Sequence, residues 1–152
     1  MATRSTIALE FADGTVQQVY CHWDGYLDHN GVILRDNYSN PFKLRDLIDL
    51  GDISSLGIEI GEKHAFSQFE LRAEEVQAYK ELTENWTTFY GRDRGETGIA
   101  PKKFKDFADY VENFQHEEYA YILRTDGQWY VKCHSAEFVA LAQAFESQKE
   151  AA

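Results

Sequence analysis

Seven consecutive residues, Tyr20-Cys21-His22-Trp23-Asp24-Gly25-Tyr26, set an imidazole, a carboxylate, an indole and a phenol side by side where a strand should end. A histidine can carry a proton either way near neutral pH. An aspartate two residues on projects to the same side of a continuing strand, so His22 and Asp24 would be the acid–base pair if the chain is an enzyme. The other use of the same residues is a turn, with His22 bonded to a loop carbonyl and Asp24-Gly25 reversing the chain. A second dense stretch runs Trp86-Thr87-Thr88-Phe89-Tyr90-Gly91-Arg92-Asp93-Arg94-Gly95-Glu96. Arg92 and Arg94, one carboxylate apart, have the planar fork that clamps a phosphate or carboxylate, and Gly91 and Gly95 let backbone N–H groups approach the same anion. The alternative is an exposed turn in which the arginines pair with their acidic neighbours, which contributes little. Aromatic residues flank both stretches and offer a base a surface to stack on. The expectation is that the two stretches meet, with Trp23, Tyr26, Trp86, Tyr90, Arg92, Asp93, Arg94 and Glu96 holding a small nucleotide-like anion.

Other chemistries find less support. No pair among His22, His29, His64, His116 and His134 has the spacing of a zinc-binding helix, and no Cys-x-x-Cys occurs. Cys21-His22 and Cys133-His134 are strand neighbours that face opposite sides. Neither a metal nor another cofactor is expected. There is no Gly-x-Ser-x-Gly elbow, no phosphate-cradling Gly-x-x-x-x-Gly-Lys and no dinucleotide fingerprint. Gly57 to His64 carries glycines and basic residues without matching any of these, and places Lys63 and His64 at the edge of the site or in an exposed loop.

The elements that must position these groups follow from period and punctuation. Residues 4–11 and 15–22 alternate as a hairpin turned at Asp13-Gly14, and residues 119–124 and 128–133 form a second, turned at Asp126-Gly127. Residues 27–38 suit a helix weakened by Gly31, and Asn40-Pro41 opens another that Gly51 ends. Residues 52–61 read as a loop with a short strand at Ile58-Glu59-Ile60, 73–83 as a surface helix, 86–90 as a strand, and 92–100 as an exposed loop. Pro101 opens a helix bearing Phe104, Phe107, Val111 and Phe114, and Ser135 caps the last helix, with Phe138, Leu141, Ala142 and Phe145 on its inner side. The order implies a single α+β domain over residues 3–147. Its antiparallel sheet is built from the two Asp-Gly hairpins plus a central strand, with helices mainly on one face. Residues 148–152 read as a frayed tail.

The formal charge of −11 repels nucleic acid and anionic lipid, so no direct nucleic-acid binding is expected. No apolar run is long enough to cross a bilayer, the start lacks the features of a signal peptide, and two cysteines suit free thiols in a reducing cytoplasm.

The blocks Thr3-Arg4-Ser5-Thr6-Ile7, Val19 to Tyr26, Gly51 to Gly57, Ile60 to His64 and Phe89 to Glu96 together resemble a family of small phage and phage-derived proteins, in which a His-Trp-Asp-Gly-Tyr segment follows a first hairpin. The likeness covers most of residues 3–133 and is loosest over 67–84. It carries no catalytic list; it implies a virus-linked protein made inside an infected bacterium.

Three roles stand open. The first is capture of a small nucleotide-like anion, such as a signal of host defence. The second is hydrolysis of a nucleotide or phosphorylated substrate by His22 and Asp24. The third is acidic mimicry of nucleic acid against a host defence protein. Binding ranks first because it needs only stacking and charge pairing. A site shared between two copies is compatible with so small a chain.

Overall fold

Alternating burial decides the first two strands. In β1 (Ser5–Glu10) Ile7 and Leu9 enter one core and Ala8 the other, and β2 (Val16–Cys21) returns antiparallel with Ser5 opposite Cys21. The turn between them is held by Asp13 Oδ1, which accepts from Thr15 N at 2.9 Å. The structure, a computed structural model, describes residues 2–115, 117–134 and 137–151. The proposed cap at Ser135 lies outside the described residues.

After Gly25 the chain makes one π-helical turn, Leu27–Gly31, that runs on as α1 (Val32–Asn37). Then α2 (Pro41–Asp49) starts as its residues dictate: Pro41 fills the first position and Asn40 accepts from Phe42 N at 2.8 Å. The next strand, β3 (Ile53–Ser55), falls earlier than the Ile58–Ile60 alternation suggested. Ile58 instead sits in a connection where Glu59 bridges Trp86. Two short 3₁₀ turns at Gln68–Glu70 and Ala73–Glu75 precede α3 (Val76–Thr83).

Two expectations fail in the next segment. The strand expected over 86–90 shrinks to β4 (Thr88–Phe89), and α4 (Tyr90–Arg94), closed by Gly95 at φ +73°, takes in the strand's last residue and the first three of the loop expected over 92–100. The side chain of Asp93 folds back to accept from Phe89 N at 2.8 Å, which starts a helix that propensity alone does not suggest. Pro101 leads not into a helix but into β5 (Lys102–Phe104), which pairs with β2. The following helix, α5 (Phe107–Asn113), begins at Asp106, whose Oδ1 accepts from Asp109 N at 2.8 Å. Val111, assigned to the inner stripe, is exposed.

The second hairpin, β6 (Tyr119–Leu123) and β7 (Trp129–Cys133), forms as expected; β8 (Val139–Ala140) then pairs with β7 and leads into α6 (Leu141–Ala151). The helix thus runs to Ala151, through residues read as tail.

The domain is α+β, with a sheet of order β4-β3-β2-β1-β6-β7-β8 and β5 beside β2. It is mixed rather than antiparallel, because β1 runs parallel to β6 and β2 parallel to β3. Turn residues specify pairing within each hairpin and say nothing about how two hairpins dock. Leu34, Leu44, Leu47 and Leu141 cover one face against Ile7, Val19, Tyr121 and Leu123. Phe104, Tyr110 and Phe114 cover the other against Ala8, Val16 and Ile122, so α5 lies opposite the remaining sheet-packed helices. Among the described residues, no helix is long and apolar enough to cross a membrane.

Candidate functional site

The corner after β2 is held from four sides. Trp23 N donates to Ser54 O at 3.0 Å and Gly25 N to Thr3 O at 2.8 Å. The buried Asn30 amide reaches Trp23 O at 3.3 Å, and Tyr121 Oη donates to Gly25 O at 2.6 Å. Asp24 takes a left-handed backbone, φ 57°, and Gly25 lies so close to Ser5 that a Cβ there would stand 2.7 Å from the serine Cβ. This bracing fixes the backbone that carries Trp23, whose residue is 43% exposed. Replacing Tyr121 by Phe strips the Gly25 carbonyl of its buried donor, and we expect a loss of about 1–3 kcal/mol in urea denaturation.

The second stretch is braced by its own charges. Arg92 donates from Nη1 to Ile60 O and Gly61 O at 2.9 and 3.1 Å, and from Nη2 to Thr87 O at 2.9 Å. It also grips Asp93 from Nε and Nη2 at 3.0 and 3.2 Å. Asp93, whose side chain is wholly buried, further accepts from Phe89 N and His64 N. Arg94 lies over the rings of Phe66 and Tyr90, at 4.3 and 5.0 Å, and pairs with Glu96 at 2.6 Å.

Between the two stretches lies a cleft of about 520 Å³. Trp23, Asp24 and His29 form one side, Trp86 and Thr88 another, and Ser54, Ser55 and Leu56 of the β3 region also line it. The turn at Phe66–Gln68 and the inner face of α3, with Tyr79 and Thr83, close it. The expected meeting of the two stretches therefore occurs through Trp23 and Asp24 on one and Trp86 and Thr88 on the other.

The arginine clamp does not form part of it. Among the described residues no Lys or Arg lines the cleft, whereas Asp24 and Glu84 do. Arg92 and Asp93 are consumed as internal pins, and Arg94, Glu96 and Tyr90 do not line the cavity: Arg94 lies over the rings of Phe66 and Tyr90 and is paired with Glu96. Tyr26 is exposed beside His29, with ring centroids 6.1 Å apart, but does not line the space. His22 turns away: its Nδ1 lies 2.6 Å from Tyr20 Oη, and no hydrogen bond or ion pair joins it to Asp24. The left-handed backbone at Asp24 ends the strand geometry that would have put the two side chains together. Cys21 is buried, and burial pushes its thiol up to about 12, which leaves it a small hydrophobe rather than a nucleophile.

Sequence reading placed His64 only at the site's edge and passed over Thr88. His64 has a side chain just 3% exposed, packed between the rings of Tyr79 and Trp86 at 6.2 and 5.8 Å. Its Nδ1 lies 2.7 Å from Glu62 O and its Nε2 3.1 Å from Thr88 Oγ1. Nothing local in sequence marks this pairing, because 24 residues separate the partners.

A second cleft, about 490 Å³ and more apolar, lies at the opposite end of the sheet, between Phe11, Pro41, Phe42 and Leu123. Such apolar hollows often take ligands. Here, though, Glu10 and Arg124 at its wall satisfy each other at 3.1 Å, and the convergent polar groups are at the other end. Among the described residues no group of three His, Cys, Asp or Glu could hold a metal ion. No protein-family model, no curated protein and no solved structure matches the chain.

Proposed function

We propose that the chain is a small-molecule-binding protein whose site is the Trp23–Trp86 cleft, and that its ligand is a neutral, ring-bearing, hydroxylated molecule of nucleoside type. One observation carries this reading: a braced, solvent-facing Trp23 and a second tryptophan line the same polar cleft of about 520 Å³. Indoles stack on a ring of any identity, and Ser54, Ser55, Asp24 and His29 supply acceptors and donors for hydroxyl and amine groups. The carboxylates of Asp24 and Glu84 disfavour a phosphate in the same space. That revises the anionic part of the sequence expectation while keeping the base-stacking part. In an infected bacterium, the setting the sequence resemblance implies, such a cleft would sequester a nucleoside-bearing molecule.

Tryptophan fluorescence and melting temperature, titrated with adenosine, guanosine, cytidine, their monophosphates and simple hexoses, test it. A nucleoside should quench emission and stabilise the fold, with its monophosphate binding no tighter. Trp23→Ala should weaken the nucleoside about tenfold or more, in line with about 1–3 kcal/mol per stacked base. Tighter binding of the monophosphates, or a Trp23→Ala titration that overlays the unmodified protein, would sink the reading.

A further inference from the structure

We propose that Thr88 is a nucleophile activated by His64, making the cleft an esterase site for acyl esters of small ring-bearing alcohols; this rests on the cleft being the binding site. The tautomer follows from the partners. A carbonyl oxygen only accepts, so at 2.7 Å from Glu62 O the Nδ1 of His64 carries the proton. Nε2 then holds the lone pair, and the Thr88 hydroxyl at 3.1 Å donates to it. That is the polarity a general base needs toward a hydroxyl nucleophile. The Asp93 carboxylate stands 3.7 Å from Nδ1, at ion-pair rather than hydrogen-bond distance. Arg92 shares that carboxylate, so the Glu62 carbonyl does the orienting.

Access runs one way. The imidazole is enclosed by Tyr79 and Trp86, while Thr88 lines the cleft together with Ser55, its register partner on β3. An acyl group bound between the tryptophans meets the hydroxyl and not the ring. The electrostatics select the acyl class, since a neutral ester enters a cleft lined by Asp24 and Glu84 more readily than a phosphoryl anion.

The step balances without any co-reactant but water. Thr88 Oγ1 bonds to the acyl carbon as its proton passes to Nε2. The tetrahedral adduct collapses, the bond from carbon to the alcohol oxygen breaks, and the alcohol leaves with the proton from Nε2. Water, deprotonated by the same nitrogen, attacks the threonyl ester; the acid departs and Thr88 regains its proton.

The probe is 4-nitrophenyl acetate. Hydrolysis should exceed that of Thr88→Val and of His64→Gln by about 100-fold, the low end of what a positioned base contributes. Acid quenching should trap one acetyl group, mapped to Thr88 by peptide mass spectrometry, and Thr88→Ser should keep both turnover and label. A hydrogen bond of purely structural use would give no acetyl adduct. The inference is overturned if folded, nucleoside-binding protein shows no acetylation, or if Thr88→Val turns over at the unmodified rate. Thr88→Val removes the hydroxyl that faces His64 Nε2, so its melting temperature is read alongside to show that the variant tested is folded, and Thr88→Ser, which keeps the hydroxyl, is the control for shape. Failure of the parent to bind any nucleoside would instead remove the cleft reading, and the esterase site with it.

Discussion

Asp93→Ala should lower stability by about 3–5 kcal/mol, the range for removing one partner of a buried charge pair. The carboxylate is the hub of its region. It accepts from Phe89 N at 2.8 Å, from His64 N at 3.1 Å, and from Arg92 at 3.0 and 3.2 Å. Alanine leaves one buried and one part-buried backbone donor without their acceptor and a guanidinium, 13% exposed, without its counter-charge. For a chain of this length the loss corresponds to a melting midpoint lower by on the order of 10 °C. Asp93→Asn should cost less, because an amide oxygen can still take the Phe89 N–H. The two variants separate the charge from the hydrogen bond. A thermal scan in which Asp93→Ala melts within 2–3 °C of the parent would show that Arg92 is held by its carbonyl contacts alone.

That hub explains which parts of the site were legible in the sequence. The aromatic character of both stretches was visible, whereas their convergence was an expectation that no local spacing fixed and that the shared cleft supplies. Trp23 and Trp86 stand 63 positions apart, yet each follows a strand or turn that delivers it to the same end of the sheet. The role of the arginines was misjudged for a physical reason. Sequence shows a guanidinium but not how many carbonyls surround it, and Arg92 finds three, from Ile60, Gly61 and Thr87, all outside its own helix. The same limit hid His64, whose partners Glu62, Thr88 and Asp93 come together only when β4 and α4 fold. Hairpins were legible because an Asp-Gly turn is a local event. The parallel docking of β1 on β6 was not, since the two strands belong to different hairpins and no turn residue joins them.

The second large effect concerns the backbone behind Trp86. Gly57 packs so tightly that a Cβ added there would stand 2.5 Å from Asn85 O and 2.6 Å from Trp86 C, both main-chain atoms that cannot swing aside. Gly57→Ala must therefore push the 85–86 segment away. That segment is tied by Glu59 N to Asn85 O at 2.8 Å and by Thr87 N to Glu59 O at 2.9 Å, and Gly57 itself donates to Thr87 Oγ1 at 3.0 Å. We expect a loss of about 1–3 kcal/mol, as for other overpacked sites, and a displaced Trp86. Displacement of an indole that forms one side of the cleft should weaken nucleoside binding several-fold beyond any effect of stability, read by titration well below the melting range. Gly127→Ala is the matched control. Its φ of +80° makes alanine strained, but a Cβ there meets nothing within 4 Å, and the turn lies at the opposite end of the sheet. It should cost about 1–2 kcal/mol and leave the titration alone. If Gly57→Ala and Gly127→Ala bind with equal affinity, Trp86 does not shape the ligand's seat, and the cleft loses one of its two stacking surfaces.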